Sequence, residues 1–154
     1  MIVRRGITSF FNWDDRGPIP EFGIAEFKSI VYAVAIPLGY AVSDVSERGV
    51  TPNFHSALLT NGDTAISILG HSTYPIFAFS EPLDLQSCEI QFIDSDPLTQ
   101  QLATLFPNVA IATTAELNRN FTDTDLAFLD TAEREQVKYW RPQTVGNAAF
   151  NWWD

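Results

Sequence analysis

The sequence predicts an α+β fold: a mixed, largely antiparallel sheet of about five to six strands, with a small βαβ unit and helices grouped at the C-terminus. Three observations carry this expectation. Asn61-Gly62 sits between two apolar-rich runs, the strongest short-range hairpin signal. Asp94-Ser95-Asp96-Pro97 lies between two further apolar runs and places a helix between strands. In the last third, Thr122 with Asp125 and Asp130 with Glu133 have the spacing of helix capping boxes.

The chain has 154 residues, the usual size of one domain, and is read as a single globular domain over 1–154. Hydrophobic residues make up 45% of it and aromatics 13%, which supplies a core and argues against a disordered chain. No repeat, low-complexity stretch or interdomain linker stands out.

Residues 2–11 read as a first strand, followed by a loop over 14–20 by its Asp, Gly and Pro content. Residues 24–34 place Ile24, Phe27, Ile30, Val31 and Val34 at helical spacing, although 30–36 also suits a buried strand. A helix to Val34 is expected because Pro37 disfavours helix only at Ile36. A strand over 40–45 follows, then hairpin strands over 54–60 and 63–69. Residues 74–80 and 88–93 read as further strands, 97–106 as a helix and 109–113 as a fifth strand of this β-rich region. Strand, helix, strand there suggests a right-handed βαβ unit. A helix over 131–140 stops at Arg141-Pro142, and Thr144 caps a last helix. On it, Val145, Ala148, Ala149, Trp152 and Trp153 would share one face and complete the core.

The formal net charge is −10, from 19 acidic and 9 basic residues, and Lys28 and Lys138 are the only lysines. Phosphate backbones and anionic membranes repel such a chain, so neither nucleic acid nor membrane is an expected partner. A basic protein partner is electrostatically favoured. The only cysteine, Cys88, excludes an internal disulfide and suits a reducing compartment. Asn12, Asp14 and Asp15 break the N-terminal apolar stretch too early for a signal peptide. The longest apolar run, 30–42, falls short of the ~20 residues of a membrane helix. The expected location is cytoplasmic.

Candidate chemistry centres on four residues. Asp94 and Asp96 follow a strand and precede a helix, where ligands bind in open α/β sheets. As a pair they could hold Mg²⁺ or Mn²⁺ through oxygen; the plainer expectation is a loop residue and a helix cap. His55 and His71 each precede a serine, the pairing of a general base with a nucleophile. A two-residue turn at Asn61-Gly62 puts His55 opposite Ile68 and Ser56 opposite Ser67, with His71 on the other face. On that geometry the histidines do not meet unless Gly70 makes a bulge. Cys88 has no basic neighbour to activate it and is expected to be a buried, inert thiol. Asp14 with Asp15 and Asp123 with Asp125 read as solvated loop or cap residues. Tyr139, Trp140, Phe150, Trp152 and Trp153 crowd the C-terminus, as core or as an exposed patch. No cofactor is expected.

The Asp94-Ser95-Asp96 pattern resembles the opening of haloacid-dehalogenase-type phosphatases, where Asp-x-Asp-x-Thr/Val ends a strand; here Leu98 holds the Thr/Val place and Thr99 comes one later. The segment Glu133-Arg134-Glu135-Gln136-Val137-Lys138-Tyr139-Trp140-Arg141-Pro142-Gln143-Thr144-Val145-Gly146, ending in Phe150-Asn151-Trp152-Trp153-Asp154, looks like the tail of small uncharacterised bacterial proteins. That resemblance implies a bacterial source and an intact C-terminus and attaches no activity. The profile is also similar in style to bacterial toxin-immunity proteins, which are small, acidic, α+β and cytoplasmic. The expected function is a non-enzymatic acidic interaction domain, immunity-like or regulatory. The alternative is a small enzyme or ligand-binding domain, divalent-metal dependent, with a pocket between the sheet and the C-terminal helices.

Overall fold

The computed structural model describes residues 2–11, 17–18, 20–49 and 51–154. The loop expected over 14–20 lies largely outside the described residues, as do Asp14 and Asp15. The first regular element is α1 (Ile24–Ala35), which buries Phe27, Ile30, Val31, Val34 and Ala35 along one stripe. Pro37 cannot continue its hydrogen bonding, and the chain tightens into a 3₁₀ turn over Ile36–Leu38. Gly39 closes that turn at φ 82°, a left-handed conformation that costs glycine little.

Six strands follow: β1 (Ala41–Ser46), β2 (Phe54–Asn61), β3 (Thr64–His71), β4 (Ile76–Ser80), β5 (Phe92–Ile93) and β6 (Ala110–Ile111). β1 to β4 are neighbours in chain order and antiparallel. β5 and β6 share the other edge of β4: β5 runs antiparallel beside Phe79 and Ser80, and β6 parallel beside Ile76 and Phe77. The sheet is thus mixed and largely antiparallel. The strand–helix–strand unit is present as β5, α2 (Asp96–Leu105) and β6. Its strands lie end to end in opposite directions, so the unit is a return along one edge, not a parallel crossover.

The hairpin forms where Asn61-Gly62 predicts it, with a shifted register. Gly62 and Asp63 make the turn, Gly62 at φ 59°, and Asn61 pairs with Thr64. His55 therefore lies opposite Gly70, not Ile68, and Ser56 opposite Leu69. An even shift leaves every side chain on its expected face. On one face, Ala57, Leu59, Ile66, Ile68, Phe77 and Phe79 pack against α1 and against Leu98 and Leu102 of α2. On the other, Phe54, Leu69, Ile76 and Ala78 meet the C-terminal helices α3 (Thr114–Leu117), α4 (Asp123–Leu126), α5 (Thr131–Trp140) and α6 (Val145–Ala149), together with Ile2, Val3 and Ile7.

The expected first strand over 2–11 does not form. The segment turns on itself, with Ile7 N–H donating to Arg4 and Ser9 N–H to Gly6. Three further N–H groups find carboxylates in place of a neighbouring strand. Ile2 donates to Glu116 Oε1 at 2.7 Å, Gly6 to Glu133 Oε1 at 2.7 Å and Thr8 to Glu133 Oε2 at 3.1 Å. Glu133 is also the third helical residue, which completes the capping box that Asp130 opens for α5. Burial pushes its carboxyl above the usual carboxylate range, and the bonds from Thr8, Gly6 and Asp130 pull back against that.

Two further expectations are corrected. The strand expected from Cys88 shrinks to β5, because an Asp84–Glu89 bridge folds the preceding loop on itself. Cys88 sits there at φ 53° as an exposed thiol, not a buried one. α6 ends at Ala149 and the Phe150 backbone is extended, so Trp152 and Trp153 lie beyond the helix. Among the described residues, no helix is long and apolar enough to cross a membrane.

Two substitutions test this packing by urea unfolding. A Cβ on Gly70 would come within 2.5 Å of Phe27 Cδ2, so Gly70→Ala should cost about 1–3 kcal/mol. Glu133→Ala strands the Gly6 and Thr8 donors in the interior and should cost at least about 3 kcal/mol, against under about 0.5 kcal/mol for exposed Glu135→Ala.

Candidate functional site

The structure keeps the two candidate histidines apart. His55 and His71 start and end the hairpin strands β2 and β3 and point to opposite faces. His55 is 2% exposed and lies between the Phe22 and Phe27 rings. Its Nε2–H donates to the Phe22 carbonyl at 2.7 Å, and its Nδ1 accepts from Arg48 N–H at 3.0 Å. His71 is fully buried and repeats the arrangement: Nε2–H donates to Ile7 O at 2.7 Å, and Nδ1 accepts from Thr73 N–H at 3.0 Å. Burial lowers its pKa to about 4, opposed by the bond to Ile7 and assisted by Arg4, Arg48 and His55. A ring with both nitrogens engaged by backbone has no lone pair for a substrate proton. The two histidines act as staples that fasten chain segments lacking strand partners.

Asp94 is exposed and accepts from the Thr114 hydroxyl at 2.7 Å and the Thr114 N–H at 3.0 Å. Those two bonds hold its carboxyl below the usual range. It thereby fixes the start of α3 to the end of β5. Asp96 is exposed in the first turn of α2, where a negative charge suits the helix dipole. Ser95 takes the N-cap position instead. Asp123 is exposed, and Asp125 is buried in a two-pronged pairing with Arg119 at 2.8 and 3.1 Å. Among the described residues, no three His, Cys, Asp or Glu side chains gather as a metal site.

The C-terminal aromatics divide between core and surface. Phe150 is buried against Phe54, His71 and Phe92. Trp152 and Trp153 are half-buried, Trp140 is 37% exposed and Tyr139 76%. Trp140 and Trp153 lie parallel within 3°, centroids 6.1 Å apart. Together with Trp152 they wall a groove of about 310 Å³ whose other side is Cys88, Ile90 and Phe92. Ile90 and Phe92 also line a polar depression of about 350 Å³ with Glu81, Asp84 and Glu89. The groove and the depression therefore adjoin along the loop between β4 and β5.

That loop lies in a long stretch of the chain that carries no cation. No Lys or Arg occurs between Arg48 and Arg119, while Asp63, Glu81, Asp84, Glu89, Asp94, Asp96 and Glu116 all fall in that stretch. Six of these, all but Glu116, are exposed. Charge patterning along the chain holds this signal; the net charge alone does not locate it. Comparison with known protein families, curated proteins and solved structures finds no match for the chain.

The locked state of His71 has a measurable consequence. The unfolded ring takes a proton near pH 6.5 and the folded one only near pH 4. The unfolded state therefore binds more protons across that window, and stability falls as pH is lowered through it. The expected loss from this group is about 3 kcal/mol, read by urea unfolding at pH 7 and pH 4. An NMR titration in which the folded His71 ionises near 6.5 would remove the effect.

Proposed function

We propose that the chain is a non-enzymatic interaction domain whose acidic surface docks on a basic protein partner, in an immunity-like or regulatory role. The observation that carries this reading is the continuous stretch from Arg48 to Arg119 without a Lys or Arg, which includes the exposed loop of Glu81, Asp84 and Glu89. Fields of one sign speed encounter with an opposite surface and disfavour wrong partners. The chemistry-bearing side chains support the same reading. His55, His71, Asp94 and Asp125 spend their hydrogen-bonding capacity on the fold.

A pull-down from the native host with the whole chain as bait tests this at low and at physiological salt. The expected result is retention of a basic protein that weakens as salt rises, since screening shortens the reach of exposed charges. The triple variant Glu81→Gln, Asp84→Asn, Glu89→Gln should release that partner by about tenfold or more while the thermal melt stays within a few degrees. A chain that retains nothing specific at either salt, or a triple variant that holds the partner as well as the parent, overturns the reading.

A further inference from the structure

We propose that the groove between the β4–β5 loop and the C-terminal tail seats a short peptide segment of the partner, in which an apolar side chain is flanked by Lys or Arg. This rests on the acidic-docking reading above and adds where the contact is made and by what chemistry. The apolar residue enters between Trp140, Trp153 and Ile90, and the cations lie over Glu81, Asp84 and Glu89.

Size and continuity support this occupant. A cavity of about 310 Å³ is at the lower end of ligand sites and suits one or two side chains. Ile90 and Phe92 belong to both depressions, so a chain whose anchor fills one lays its neighbours across the other. Trp is favoured where a few residues carry binding, because it offers a large apolar face with a polar edge. An indole face also attracts a passing cation. The groove's own lining carries no Lys or Arg, and the acidic residues lie at its Glu81–Glu89 end, which suits the partner's positive charge.

The groove is also held in shape without a ligand. Its floor residue Gly146 has no room for a side chain: a Cβ would lie 2.5 Å from Phe92 Cε2 and 2.9 Å from the Leu117 carbonyl oxygen. The Trp140 indole N–H donates to Gln136 Oε1 at 3.0 Å, one turn back on α5. Asn151 Oδ1 accepts from Trp153 N–H at 3.2 Å, and its amide donates to Ala148 O and Thr8 O. A site already ordered loses less entropy on binding.

The test is selection of a phage-displayed library of random peptides on the immobilised full chain at physiological salt. The selected peptides should pair an aromatic or aliphatic residue with at least one Lys or Arg. Trp140→Ala should weaken them about tenfold or more, and Cys88→Phe, which fills the mouth from an exposed loop, should do the same. The triple acid variant should weaken them and flatten their salt dependence. Circular dichroism of each variant separates lost binding from lost folding. Peptides that respond to the triple variant but ignore Trp140→Ala and Cys88→Phe overturn the groove and leave acidic docking standing. Peptides that ignore all three variants, or that carry no cation, remove both readings. An empty selection, or a dimer that Trp140→Ala dissociates, overturns the groove proposal.

Discussion

The buried carboxylate of Glu133 holds the two ends of the molecule's architecture together. It caps α5 through the Asp130 box, and from the same position it accepts Gly6 N–H, Thr8 N–H and the Thr8 hydroxyl at 2.6 Å. An N-terminal segment with no strand partner must still satisfy its backbone donors when buried. Glu133 satisfies those of Gly6 and Thr8 and Glu116 that of Ile2, while Ile2, Val3 and Ile7 bury their side chains in the same core. Asn53 and Asn151 do the matching work for the C-terminus. Asn53 Oδ1 accepts Asn151 N–H at 2.9 Å while Asn53 N–H donates to the Asn151 carbonyl at 3.0 Å. The Asn53 amide also reaches Ala149 O at 2.9 Å. One face of the sheet is thus roofed partly by irregular chain, and side-chain hydrogen bonds do there what ladder bonds do in the sheet.

This division explains what could be read in the sequence. The hairpin, α1 and the capped helices are encoded locally, by a turn pair, a 3.6-residue stripe and cap spacings of three. Thr131–Trp140 appears with the bounds the caps imply. Residues 2–11 carry the apolar content of a strand, but their partners, Glu116 and Glu133, lie more than a hundred residues away. Nothing near them in sequence announces that pairing. The register slip in the hairpin has a similar origin. Gly62 takes the positive φ with Asp63 beside it, so the turn sits one residue later than Asn61-Gly62 suggests. The aromatic tail divides because α6 stops at Ala149, which its Thr144 cap cannot signal.

The candidate residues show the same contrast between composition and context. A histidine before a serine is suggestive as a string, and both such histidines here serve as double-ended backbone clamps. His55 joins Phe22 to Arg48, and His71 joins Ile7 to the turn at Thr73. The requirement to satisfy buried donors and acceptors determines their environment. Asp94 is exposed and still committed, since both its oxygens engage Thr114. His55, His71 and Asp94 are therefore occupied in holding chain segments in place.

The loop between β4 and β5 follows the opposite logic. Glu81, Asp84 and Glu89 are exposed like charges on one short loop, an arrangement that repels itself. The hydrogen bonds that order the loop come mostly from its own backbone and small polar groups. Glu81 N–H donates to Gln91 O, Cys88 N–H to Asp84 O, and Leu83 N–H to Ser67 Oγ. Only Asp84 uses its carboxylate locally, accepting Gln86 N–H at 3.0 Å, and an asparagine oxygen can take that bond equally well. Charge at this loop is therefore separable from stability, whereas Glu133, Asn53 and His71 cannot be changed without disturbing the packing around them. The charge of this loop and the groove beside it are what the proposed docking rests on.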